Sequence, residues 1–289
     1  MSRIRDVLKR AELERSIYDG IDLEEVEGQV SIPAPEPISI TRIEDGVGSR
    51  PGLPASPTSS PIALDSMLAR CSPTTWKPDT NTMLFFGSEE QPEGTEEFRT
   101  LRSQLYGLRE KQSLRKILVT SSMPKEGRSF VAANLAQVMA RQPGCRVLLI
   151  DADLRNPRLH SALGTSASPG LSEYLLGEAE DLEIIQRGQM QNLFFIASGR
   201  ATSGQTEVIC NGRLKSLLDR TESLFDWIVV DSPAAMPVTD SGLIAKFCDG
   251  VLIVVRSHST PFDVVRKAQQ RFREEHILGV VLNSIPAES

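Results

Sequence analysis

Six stretches of this chain are almost unbroken in apolar residues, and each runs into a polar residue. They are KILVTSS (116–122), RVLLIDAD (146–153), LFFIAS (193–198), DWIVVDSP (226–233), VLIVVRS (251–257) and LGVVLNSI (278–285). A strand with one wet face would alternate apolar and polar residues. These runs do not, so they read as strands covered on both faces, the mark of a mostly parallel sheet. Helical stretches lie between them. One more precedes them, EEFRTLRSQLYGLREK, with Phe98, Leu101, Leu105 and Leu108 on a single face. The expectation is an α/β fold of three layers, a mostly parallel sheet flanked by helices. In such a sheet the C-terminal strand ends share one edge, and ligands bind there. The polar residues at those ends are Ser121, Ser122, Asp151, Asp153, Asp231, Arg256 and Asn283.

The pattern does not extend upstream. Ten of the 18 prolines fall within residues 1–95, in segments such as SIPAPEPISI and SRPGLPASPTSSPIAL. Proline removes a backbone donor and fixes φ, so these segments hold neither helix nor ladder hydrogen bonds. Residues 28–80 are expected to be a disordered or extended linker, within an N-terminal segment of 1–93. Ile4, Val7, Leu8 and Ala11 are at helical spacing, a short docking helix or a transient one. Residues 94–289 form the expected folded domain.

Charge divides the same way. Residues 1–95 carry 9 Lys/Arg and 16 Asp/Glu, and residues 96–289 carry 23 and 22. Neither half has the basic excess that binding to nucleic acid needs, so no nucleic-acid partner is expected. The cysteines (Cys71, Cys145, Cys210, Cys248) lack CxxC spacing and the three histidines are scattered, which argues against a disulfide framework or a zinc site. No apolar run is long enough to span a bilayer, and the start lacks the apolar core of a secretory leader. The expected location is cytoplasmic.

Between the first strand and the amphipathic helix FVAANLAQVMARQ lies SMPKEGRS, residues 122–129. It follows the phosphate-loop pattern G-x-x-x-x-G-K-[ST] at Gly127 and Ser129 and departs from it at Ser122 and Arg128. A helix N-terminus presents free N–H groups that attract phosphate whatever side chain follows. The Ser129 hydroxyl is placed to ligate Mg²⁺, a hard cation that prefers oxygen ligands. Asp231, at the end of an apolar strand, suits a carboxylate that holds the same ion through water. Asp151 and Asp153 can complete the metal shell or accept a hydroxyl proton, or Asp153 can simply cap the segment after it.

Five segments in this order and spacing resemble the bacterial tyrosine kinases of capsule and exopolysaccharide synthesis: EEFRTLR, KILVTSSMPKEGRS, VLLIDADLRNPRLH, FDWIVVDSPAAMPVTD and GVVLNSI. That family belongs to the deviant Walker A group of P-loop ATPases, with the partition and septum-site ATPases. The resemblance covers about residues 94–286. It implies ATP and Mg²⁺ as ligands, with Ser122, Lys125, Glu126, Gly127, Arg128, Ser129, Phe130 and Asn283 binding the nucleotide and Asn283 reading adenine. It implies Ser129, Asp151 and Asp231 around the metal, and Asp153, Asp151 and Arg128 as the catalytic group, with Asp153 as base toward a tyrosine hydroxyl. It further implies assembly of identical copies through Glu96, Arg99 and Arg102. The remaining implications are a membrane-embedded polysaccharide chain-length or export protein as partner and recruitment to the inner membrane face.

The departures from the family bear on the chemistry. Arg128 keeps the positive charge of the usual lysine, but a planar guanidinium is not a compact ammonium. Lys125 stands where the family has glycine. Family members end in a tyrosine cluster, whereas this sequence ends NSIPAES, and its tyrosines are Tyr18, Tyr106 and Tyr174. Three functions follow: transfer of phosphate from Mg-ATP to protein tyrosine, nucleotide-dependent regulation of a polysaccharide export complex without turnover, or ATP hydrolysis for positioning.

Overall fold

The computed structural model describes residues 71, 74–86, 92–201, 204–236, 238–272 and 274–284. The short helix at residues 2–17, Tyr18 and most of the expected linker lie outside the described residues.

Each apolar run forms a strand: β1 Lys116–Ser121, β2 Val147–Asp151, β4 Leu193–Ile196, β5 Trp227–Asp231, β6 Gly250–Arg256 and β7 Ile277–Asn283. A further short strand, β3 Ile185–Arg187, brings the sheet to seven, in the order β3-β4-β2-β5-β1-β6-β7. All neighbours are parallel except β3, which pairs antiparallel with β4 at the edge. Every residue of β1, β2, β4 and β5 is buried. β7 is half-buried throughout. It is the other edge strand, so its run of apolar residues did not report cover on both sides.

The helices are α1 Pro92–Arg109, α2 Arg128–Ala140, α3 Leu159–Leu163, α4 Leu171–Leu176, α5 Asp181–Ile184, α6 Gln205–Ile209, α7 Arg213–Thr221, α8 Asp240–Ala245 and α9 Phe262–Arg271. α1 begins on a proline, whose fixed φ and missing N–H suit the first helical position. Successive strand residues point to opposite faces, and the core is accordingly two clusters. Leu118, Leu148, Ile150, Ile228 and Val230 face one side, packed with α7 and α8. Ile117, Val119, Val147, Leu149 and Val229 face the other, packed with α1 and α2. The helix after the phosphate loop is therefore apolar nearly all round, buried from Val131 to Ala140.

The end of the expected linker differs. Residues 74–80, with 81–86 after them, are strapped across the domain. Thr74 N–H donates to the Arg187 carbonyl at 2.9 Å, Lys77 N–H to Gly164 at 3.1 Å and Asp79 N–H to Ala162 at 2.9 Å. Trp76, Met83, Leu84 and Phe85 are buried in the second cluster. Two amides of α2 hold the strap from inside: Leu84 N–H donates to Asn134 Oδ1 at 2.9 Å and Phe85 N–H to Gln137 Oε1 at 3.2 Å. Trp76 lies edge-on to Phe195 of β4, with ring centroids 6.2 Å apart. A Cβ at Gly188 would stand 2.3 Å from its indole, so only glycine leaves room. Truncating a fully buried tryptophan costs about 3–5 kcal/mol. Trp76→Ala is expected to destabilise the protein by that amount in urea unfolding. A loss under about 1 kcal/mol would mean that the strap is not part of the folding unit.

Candidate nucleotide-binding site

β1 is central in the sheet, and the loop that leaves it, residues 122–127, turns directly into α2. The turn needs two left-handed residues, Lys125 at φ 69° and Gly127 at φ 91°. Gly127 is fixed by space as well as by conformation. A Cβ there would lie 1.9 Å from Asn283 Nδ2, at the tip of β7. That same Asn283 amide donates to the Glu126 carbonyl at 2.9 Å. Asn283 thus grips the loop backbone itself.

Glu126 is the loop's internal tie. Its side chain is buried and accepts from Met123 N–H at 2.6 Å, from Arg256 N–H at 3.4 Å and from the Thr260 hydroxyl. The loop is thereby clamped to the end of β6 and to the segment before α9. The Ser121 hydroxyl donates to the Met123 carbonyl at 2.7 Å, and the buried Ser122 hydroxyl has no protein partner. Phe130, expected at the nucleotide, packs edge-on to Phe98 of α1 at 5.8 Å between centroids. Ser129 and Phe130 also line an open cavity of about 530 Å³, whose far wall is Asn156, Pro157 and Arg158.

The acids converge beside the loop. β2 and β5 are in register, so Asp151 and Asp231 end adjacent strands as direct neighbours, both wholly buried. Asp151 is taken up by backbone: Oδ1 accepts from Asp153 N–H at 3.2 Å, and Oδ2 accepts from Arg158 and Leu159 N–H at 3.2 and 3.1 Å. Burial, and then the neighbouring Asp231, push its carboxyl well above the usual carboxylate range. Asp153 accepts from Arg155 and Asn156 N–H through Oδ1, and its Oδ2 is ion-paired with Arg128 Nη2. Asp231 is different. Neither of its oxygens has a hydrogen-bond partner, and Arg128 Nε stops 3.8 Å away. Burial pushes its pKa up to about 7, against the pull of the Arg128 guanidinium and the nearby Ser129 hydroxyl.

These orphaned atoms test the ligands that the sequence implied. A buried carboxylate with two unused oxygens, next to Ser129 and under a helix N-terminus, is a hard-oxygen donor set that suits hydrated Mg²⁺. Among the described residues no three His, Cys, Asp or Glu side chains form a complete metal cluster. Phosphate and water oxygens would fill the rest of the shell, as Mg²⁺ ordinarily requires.

Arg128, Ser129, Asp153 and Asp231 come together beside the loop. Four other residues named from sequence already have protein partners: Asp151 on backbone, Glu126 on Met123, Arg256 and Thr260, Asn283 on the Glu126 carbonyl, and Phe130 on Phe98. The sequence reading missed the structural uses of its neighbours. Arg155 Nε donates to the buried Asp240 at 2.7 Å, and the Thr206 hydroxyl donates to Asp240 at 2.7 Å, pinning the loop after Asp153. These partners lie 85 and 34 residues apart and carry no local signal. Of the motif on α1, Glu96 is exposed and ion-paired with Arg99, whereas Arg102 Nη1 donates to the Val138 carbonyl of α2 at 2.9 Å.

A central parallel strand feeding a phosphate-type loop into a buried helix, with an acid at the tip of the adjacent strand, defines a P-loop nucleotide-binding protein. The family described as AAA domain matches residues 116–270, and this chain belongs to it. Membership of this P-loop ATPase family implies nucleotide binding with Mg²⁺. The chain is similar to the putative tyrosine-protein kinase EpsB of Ralstonia nicotianae, with 32% identity over 192 residues, 66% of this chain and 25% of EpsB. It is similar to the tyrosine-protein kinase YwqD of Bacillus subtilis, with 29% identity over 198 residues, 68% of this chain and 83% of YwqD. Among solved structures, the kinase domain of Escherichia coli tyrosine kinase ETK matches with a TM-score of 0.66 and 26% identity, over 72% of this chain and 83% of that one. The chain therefore spans about a quarter of EpsB and most of YwqD.

The two left-handed positions in the loop give opposite expectations. A non-glycine residue there costs about 1–2 kcal/mol, of which glycine's greater unfolded freedom takes back about 0.5–1. Lys125→Gly should stabilise the protein by about 0.5–1 kcal/mol in denaturant melts. Gly127→Ala should destabilise it by about 1–3 kcal/mol, because Asn283 must also move.

Proposed function

We propose that this chain is a protein-tyrosine kinase of exopolysaccharide or capsule synthesis that transfers phosphate from Mg-ATP to a tyrosine hydroxyl. The observation that carries the reading is the convergence of Arg128, Ser129, Asp153 and Asp231 where a parallel sheet delivers its phosphate loop. The loop of residues 122–129 cradles the phosphates with its remaining backbone N–H groups, since Pro124 has none and that of Met123 goes to Glu126, and Lys125 and Arg128 are the cations at hand. Ser129 and Asp231 hold Mg²⁺, Asp231 through water, and the ion neutralises charge on the transferring phosphoryl group. Asp151 supports that shell from behind. Asp153 accepts the tyrosine proton, as a carboxylate within reach of the attacking oxygen can. Asn283, already bonded to the loop, borders the adenine.

The acceptor lies on another protein or on Tyr18. Tyr174 is buried, and the Tyr106 hydroxyl lies 3.4 Å from Cys145 Sγ in a half-buried position. A membrane-embedded chain-length or export protein is the proposed partner, reached from the cytoplasmic face. No helix among the described residues is long and apolar enough to cross a membrane. Copies of this chain are proposed to assemble through the exposed Glu96 with Arg99, while Arg102 braces α1 on α2.

One observation favours an impaired, regulatory form of the same protein: Arg128 is tied to a carboxylate that catalysis needs. Incubation with Mg-ATP and mass-spectrometric readout of ADP and phosphotyrosine decides between them. For an active kinase, Asp153→Asn should lower phosphotyrosine about 10²–10⁴-fold, with ADP affinity little changed. If the wild type binds ATP without releasing ADP and Arg128→Lys restores transfer, the regulatory form is the right one.

A further inference from the structure

The Arg128 side chain is only 11% exposed, yet its bonding is unfinished on both sides. One end pairs with Asp153. At the other, Nε has no acceptor, both Asp231 oxygens have no donor, and the two groups stand 3.8 Å apart. An ion pair that served stability alone would close that gap, because buried polar groups left unpaired are costly.

We propose that Arg128 is a counter-ion latch that makes the loop take a divalent cation and a nucleotide together and resist either alone. The inference rests on the nucleotide-site reading above and adds to it the order of charge exchange. A cation arriving alone must win Asp153 and Asp231 from the guanidinium, leaving a nearly buried positive charge without a partner, which is strongly unfavourable. A nucleotide arriving alone brings phosphate against those same carboxylates, and drawing Arg128 away strands them. When both arrive, the phosphates take the guanidinium in its two-pronged geometry and the cation takes the carboxylates. Every charge then keeps a partner. Lysine would build a weaker latch, because an ammonium is a compact point charge that lacks the guanidinium's two-pronged geometry toward phosphate.

The test uses the full chain and three titrations: Mn²⁺ alone, followed by its electron-spin signal, ADP with a chelator, and ADP with Mn²⁺, both followed by calorimetry. For the wild type, Mn²⁺ alone should bind weakly, and Mn²⁺ should tighten ADP by at least about 10-fold. By reciprocity ADP tightens Mn²⁺ by the same factor. In Arg128→Met, Mn²⁺ alone should bind about 10-fold more tightly than in the wild type, and the coupling should shrink to about 2-fold or less. Arg128→Lys should fall between, and it carries the test if the methionine variant does not fold. Equal Mn²⁺ affinity in all proteins, with ADP still bound, overturns the latch and spares the nucleotide site. Absence of ADP binding in every protein, whatever Mn²⁺ does, overturns the nucleotide site and the coupling with it.

Discussion

Two carboxylates ending adjacent, fully buried strands are the constraint around which this domain is arranged. The register of β2 against β5 makes Asp151 and Asp231 neighbours, and both are buried. Like charges in that setting must be spread, protonated or countered. Asp151 is countered by three backbone amides, and Asp153 by two more and by Arg128. Asp231 has no backbone amide and only the guanidinium at 3.8 Å, which it shares with Asp153. The electrostatic demand of the site thus collects on one residue at the tip of β5, within reach of the helix N-terminus that begins at Arg128. A cation bound there would answer a need that the fold itself creates.

Much of this was legible in the sequence, because the central strands are simple objects. An unbroken apolar run buried on both faces has one reading, and its terminal polar residue has one location. The order Ser122, Asp151, Asp231, Asn283 along the chain therefore translated directly into one edge of the sheet. The loop was legible for the same reason, since Gly127 and Ser129 occupy fixed places between a strand and a helix.

What escaped notice depends on partners far away in the chain. β3 is three residues long and is recognised only by its pairing with β4. The strap carries Pro78, Asp79 and Asn81, residues that read as irregular chain, and its order comes from Asn134 and Gln137 about 50 residues on. The helix that carries them was expected to be amphipathic, whereas it is buried from Val131 to Ala140 with both amides inside. Glu126 was expected at the nucleotide, whereas its side chain is bound by Thr260 and Arg256, 134 and 130 residues later. The partial cover of β7 could not be inferred either, since an edge strand and a central one use the same residues. Composition marked where proline becomes dense, but a single tryptophan with a glycine opposite outweighs composition locally.

The strap also changes what α2 is. A helix that opens at the phosphate loop and is held midway by hydrogen bonds between its side-chain amides and residues 82–85 is a rod with a handle. The helix that carries Arg128 and Ser129 in its first turn thus owes part of its seating to a segment that precedes the sheet in the chain.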